Sequence, residues 1–133
     1  MELTKRLFTI YALVIASFLS AIPCYASPIT VFFLGSGSYN SAWTGAVAEG
    51  LTNHLNQSKL PVVFYTDHLD AGRFEEMKQR EAMFNYLKAK FGSKQPDLFI
   101  SAGPAASDFS LSYPDLFPSS KRILIQSQKS APK

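Results

Sequence analysis

From Ile29 onward the chain alternates between two hydrophobic rhythms. Ile29, Thr30, Val31, Phe32, Phe33 and Leu34 form a continuous β-branched and aromatic run that stops at Gly35. A run apolar on both faces predicts a central strand of a parallel sheet, covered from either side. Residues 35–42 follow as a loop of Gly, Ser, Tyr and Asn, a composition that favours turns. From Trp43 to about Asn56 the period becomes helical: Trp43, Val47, Leu51 and Leu55 recur every four residues, with Ala46 and Gly50 beside them. The spacing predicts one apolar stripe along a helix. A large aromatic on that stripe is expected to pack beneath the sheet, while its place at the helix start would also let it edge a pocket.

The alternation then repeats. Pro61 opens a second strand, residues 62–66, followed by a polar loop over residues 67–73. A second helix is predicted from Phe74 to Phe91. Glu75 and Glu76 stand in its first turn and Lys88 and Lys90 in its last, the arrangement a helix dipole favours. Met77, Phe84, Leu87 and Phe91 are its expected buried face, and Gly92 its C-cap. Pro96 and Asp97 lead into a third strand, residues 98–101, stopped by Ala102, Gly103 and Pro104. A short helix over residues 105–111 has Pro104 near its first position. A loop with apolar anchors (residues 113–118) and a fourth strand (residues 123–125) precede a polar tail. The succession predicts an α/β fold: a parallel sheet of about four strands with helices on both faces, joined by right-handed crossovers. No helix pattern follows the last strand, so the sheet reads as unfinished.

The N-terminus has a different character. Lys5 and Arg6 precede an apolar run over residues 7–22, interrupted by Thr9, Tyr11, Ser17 and Ser20 and ended by Pro23. Cys24, Tyr25 and Ala26 then offer a small-x-small cleavage site. A charged start, an apolar middle and such a site predict a secretory signal peptide over residues 1–26; an uncleaved membrane anchor is the alternative, since the run is near the lower limit for spanning a bilayer. The remainder, residues 27–133, is expected in the periplasm, touching a membrane only if that segment is retained. Pro23 and Ile22 before Cys24 do not fit a lipid-carrying cysteine. With Cys24 gone the mature chain holds no cysteine, and neither disulfides nor thiolate chemistry is available.

Composition narrows the function. The chain has 133 residues, 47% apolar, with a net charge of +3. That is enough for one domain with a core, and the charge makes no basic stripe of the kind nucleic-acid binding needs. Gly35 and Gly37 after a first strand are two glycines of a dinucleotide fingerprint, but Asn40 stands at the third, and two glycines alone are a weak signal; no cofactor is expected. Ser36 and Ser38 lack the flanking glycines of a nucleophile elbow, and the only histidines, His54 and His68, are not placed as a base by the pattern. A small exported hydrolase using either serine therefore stands as the alternative to a non-catalytic domain, beside a remnant with no ligand at all. Asp67, His68 and Asp70 are consecutive enough to be considered as metal ligands, yet no distant His or Cys completes a shell, and a solvated loop is expected instead.

In an open parallel sheet, ligands bind beyond the carboxyl ends of the strands. Those ends present residues 35–42, 66–73, 102–107 and 126–128, with helix N-termini expected to be free for polar or anionic groups. The expected ligand-binding residues are Ser36, Ser38, Tyr39, Trp43, Asp67, Asp70, Arg73, Gly103 and Ala105.

Three stretches taken together resemble a known family. The first is the apolar strand, its Ser-containing loop and Trp43-Thr44 opening a helix that carries Glu49, Gly50 and Leu51. The second is Tyr65, Thr66 and Asp67 with Leu69, Asp70, Arg73 and Phe74. The third runs from Leu87, Lys88, Ala89, Lys90 and Phe91 through Pro96, Asp97, Leu98, Phe99 and Ile100 to Ala105, Ala106 and Leu116, Phe117, Pro118. This succession is similar to the ABC-transporter substrate-binding-like domain of periplasmic proteins, also found as the extracytoplasmic part of some sensor histidine kinases and diguanylate cyclases. The resemblance implies a type I periplasmic binding fold, with residues 27–133 as a flavodoxin-like part of its N-terminal lobe. It also implies a small-molecule solute in the cleft and a membrane permease or sensor partner. Gly37 and Ser38 depart from a Tyr-His pair frequent in the family. The rest of the first lobe and the whole second lobe have no counterpart, so a one-sided cleft that binds weakly is expected.

Overall fold

The computed structural model describes residue 1 and residues 27–73 and 76–126. The proposed signal peptide with Cys24, the residues Phe74 and Glu75 expected to open the second helix, and the end of the tail lie outside the described residues. Among the described residues four strands and three helices alternate: β1 (Ile29–Gly35), α1 (Ala42–Gln57), β2 (Val62–His68), α2 (Glu76–Phe91), β3 (Leu98–Ala102), α3 (Pro104–Ser112), a 3-10 turn (Pro114–Leu116) and β4 (Lys121–Ile125). All strand pairs are parallel, in the order β2-β1-β3-β4. This is the α/β architecture expected from the sequence, with the strand order of a flavodoxin-like half-lobe.

The unbroken apolar run of β1 follows from its central place, where side chains alternate between two covered faces. Phe32 and Leu34 enter one core with Phe99, Leu87, Phe91, Ala106, Phe109, Leu116 and Phe117, beneath α2 and α3. Val31 and Phe33 enter the other, with Ile100, Ala102 and the α1 residues Val47, Ala48 and Leu51. The first core is largely aromatic. Phe32, Phe91, Phe99 and Phe117 meet at centroid separations of 5.1 to 5.9 Å, mostly edge to face, a geometry that adds to their area burial.

Two side chains expected in the core lie outside it. Trp43 is 38% exposed, and Thr44 beside it is buried. Four residues advance a helix about 40° beyond a full turn, so a series spaced by four drifts across the face. The stripe that faces the sheet is Thr44, Val47, Ala48 and Leu51. Met77 in α2 is also exposed; Met83 and Phe84 fill the half-buried positions, while Leu87 and Phe91 are buried as expected. Gly92 takes a left-handed φ of 51° and donates its N–H to the Lys88 carbonyl at 3.0 Å, ending α2 as a C-cap does.

The largest revision concerns β2. The strand continues through Asp67 and His68, which pair with Leu34 and Gly35. Successive residues of a strand face opposite sides. Val62, Phe64, Thr66 and His68 therefore face α1, and Val63, Tyr65 and Asp67 face α2. Among the described residues no helix is long and apolar enough to cross a membrane.

Candidate functional site

At the carboxyl ends of the central strands the loops are tied together by backbone bonds. Ser36 donates its N–H to the Ala102 carbonyl at 2.8 Å, and its own carbonyl accepts the Ala71 N–H at 2.9 Å. Leu69 donates to Gly35, and Gly103 to Ile125. Gly103 holds φ at 91°, and a Cβ there would stand 2.6 Å from Ser36 Oγ. Only glycine suits both the dihedral and the space.

That close approach has a purpose within the fold. Gly103 occupies the N-cap position of α3 and has no side chain with which to cap it. Ser36 supplies the missing acceptor from across the sheet, its Oγ accepting the N–H of Ala106 at 2.8 Å. The helix N-terminus expected to be open to a ligand is thus already engaged by a side chain of this chain.

The other expected site residues divide between exposed and engaged positions. Ser38 is half-buried, and its side chain makes no hydrogen bond among the described residues. Trp43 lies beside Gly103, with a ring carbon 3.5 Å from where a Cβ would be. Ala105 packs on the aromatic core. Asp67 is turned to the α2 side, where its Oδ2 meets Lys90 Nζ at 2.7 Å. Asp70, in the left-handed region with φ of 51°, pairs with the largely exposed Arg73 at 3.5 Å. Asp67 and His68 face opposite sides of the sheet, so the consecutive cluster apparent in the sequence is split. Among the described residues no group of three or more His, Cys, Asp or Glu is placed to hold a metal ion.

Lys90 is clamped at several points. Burial alone would lower its pKa, but hydrogen bonds and Coulomb attraction from Asp67 and Tyr86 outweigh that and hold it above the ordinary 10.5. The rings of Tyr65, Tyr86 and Phe91 lie within 5.2 to 5.9 Å of its nitrogen. Such contacts fix α2 against the outer strand.

On the α1 side of β2 the chemistry is left open. A groove of about 360 Å³ runs between β2 and α1, lined by Tyr39, Gly45, Ala48, Glu49, Thr52, Thr66 and His68. Tyr39 is 78% exposed and meets the His68 ring edge to face at 5.6 Å. His68 Nδ1 is buried without a hydrogen-bond partner. It lies 2.8 Å from where a Gly35 Cβ would stand, so the glycine that ends β1 is what admits the imidazole. Thr52 donates its hydroxyl to the Ala48 carbonyl, leaving oxygen lone pairs free. Of these residues only Tyr39 was an expected site residue. Thr66 and His68 were legible in principle from the period of β2 carried two residues further, and Glu49 and Thr52 from the corrected face of α1.

No family model matches the chain, and neither curated proteins nor solved structures show significant similarity to it.

Proposed function

We propose that this chain is an exported, non-catalytic lobe that binds a small polar solute, either as part of a solute-binding protein or as the extracytoplasmic part of a sensor. The observation that carries this is the groove at the carboxyl end of β2, where the exposed Tyr39 covers a His68 with an unsatisfied buried nitrogen. His68 Nδ1 is closed to solvent and set against Gly35, so a solute would meet the remaining, half-exposed part of the ring. Carboxyl ends of parallel strands are also where α/β sheets bind ligands. The interlocked loops around Ser36, Gly103 and Ala71 would supply a rigid platform beside the groove.

The same reading accounts for the outer strand β4. Ile123 and Leu124 are 46% and 43% exposed on its two faces, and a further strand or partner of such a lobe would cover them. A permease or sensor partner belongs to this proposal.

The test is a solute panel against the purified protein, followed by thermal unfolding and amide chemical shifts. Binding to the folded state alone raises the unfolding free energy by about 2.7 kcal/mol at a hundredfold excess over Kd. At least one chemical class is expected to stabilise the protein at millimolar concentration and to shift resonances around Tyr39 and His68. Tight binding by residues 27–133 alone would contradict the need for a partner, and indifference to every class would remove the proposal. Intact mass and N-terminal sequencing from fractionated cells check export: a species outside the cytoplasm beginning at Ser27 is expected.

A further inference from the structure

The charge around the β2–α1 groove is one-sided. Along α1 (Ala42–Gln57) the only residue with a formal charge at neutral pH is Glu49, and Glu49 lines the groove. It forms no ion pair or hydrogen bond among the described residues. No lysine or arginine contributes to the lining. The nearest strand cation pair, Asp67–Lys90, is on the far face of β2. Every other polar group in the lining can accept: the hydroxyls of Thr52 and Thr66, an imidazole nitrogen, and the π face of Tyr39. The floor is kept low by Gly45 and Ala48, and a Cβ on Gly45 would meet nothing within 4 Å.

We propose that this groove takes a small cationic amine, with Glu49 facing the ammonium and Tyr39 closing over the alkyl part. The inference rests on the solute-binding reading and names the class of solute. An ammonium has three donors and no acceptor, which suits a lining whose polar groups can all accept and whose one formal charge is a carboxylate. A carboxylate ligand would meet Glu49 as a like charge and find no cation in the lining, and a neutral alcohol could donate one hydrogen bond to it but would gain no charge–charge attraction. Aromatic rings attract cations through their faces, so Tyr39 serves an amine better than an anion.

Three ligands of one size separate these cases: n-butylammonium, butan-1-ol and butyrate, titrated into the isotope-labelled protein as cells produce it. The amine is expected to shift Gly45, Glu49, Thr66 and His68 resonances, with little response to the other two. Glu49→Gln keeps shape and removes charge; because Glu49 is exposed, about a fivefold weakening is expected, the scale of a solvent-exposed ion pair. Gly45→Leu fills the groove and is expected to abolish the shifts while the protein stays folded. Equal shifts from alcohol or butyrate, or unchanged affinity in Glu49→Gln, would overturn the amine assignment. If amines leave the groove unmoved while another solute binds near Trp43 and Tyr39, this inference fails and the solute-binding reading stands. If no probe of any class binds, both fail.

Discussion

Ser36→Ala separates a structural serine from a ligand-binding one. The Ser36 hydroxyl accepts the Ala106 N–H at 2.8 Å, and Ala106 is fully buried. Removing the oxygen leaves that donor without an acceptor, because Gly103 at the N-cap has no side chain to replace it. An exposed N-cap loses about 1 kcal/mol on such a change, and a buried unsatisfied N–H costs about 1–3 kcal/mol. Water is a poor substitute, since the space of one oxygen is below the roughly 30 Å³ that a water occupies. A loss of about 2 kcal/mol is therefore expected. For a domain of roughly 100 residues that corresponds to a fall in Tm of about 10 °C. Urea unfolding followed by far-ultraviolet circular dichroism measures it, with Ser38→Ala as control. Ser38 donates and accepts no side-chain hydrogen bond among the described residues, so its variant should unfold within about 0.5 kcal/mol of the parent. The reasoning is refuted if Ser36→Ala is as stable as the parent, and more sharply if it also loses solute binding, for the hydroxyl would then be serving a ligand.

Three further outcomes are expected from other parts of the fold. Gly35→Ala would set a Cβ 2.3 Å from Thr44 Cγ2 and 2.8 Å from His68 Nδ1, and should cost about 3 kcal/mol by overpacking; Gly50→Ala, whose Cβ meets nothing within 4 Å, should instead gain up to about 1 kcal/mol as a helix residue, both read from urea midpoints. Arg122→Met is expected to lose about 2–3 kcal/mol, because the guanidinium donates to the carbonyls of Ser110, Tyr113 and Pro114 at the end of α3; Lys at this position should not restore it, lacking the planar fork. The raised pKa of Lys90 means its ammonium stabilises the fold fully below the unfolded value of 10.5, and this contribution fades as pH rises through the higher folded value. Stability measured from pH 9 to pH 12 should therefore fall less steeply above pH 10.5 in Asp67→Asn than in the parent, and identical slopes would show that the pair does not set the shift.

The strands and helices were legible because each obeys a single period strongly. Phe32 and Phe33 could only belong to a strand covered on both faces, and Gly92 and Pro104 mark helix ends through their backbone preferences alone. The errors arose where one rule was applied past its range. Taking residues four apart as one face brought Trp43 into the expected core, although a helix turns every 3.6 residues and the stripe passes through Thr44. Ending β2 at the first charged residue turned Asp67 and His68 into loop neighbours. An edge strand tolerates a charge when a partner stands opposite, and Lys90 is that partner, distant in sequence and so invisible to a local pattern. The role of Ser36 was hidden for the same reason, since its partner Ala106 lies on another helix.

The two faces of β2 show why the open chemistry is on one side. Toward α2 the strand offers Tyr65 and Asp67, and α2 answers with Lys90, Tyr86 and Phe91, so the carboxylate is paired and ringed within the fold. Toward α1 the strand offers Thr66 and His68, and α1 answers with Gly45 and Ala48, which are too small to reach them. A helix built only to pack would fill that space with a larger apolar residue, since cores approach crystal density. Here the floor is small, the rim carries the one charge of the helix, and a buried imidazole nitrogen is left without a partner. Fold stability gains nothing from that combination, and the proposed solute would give it a chemical role.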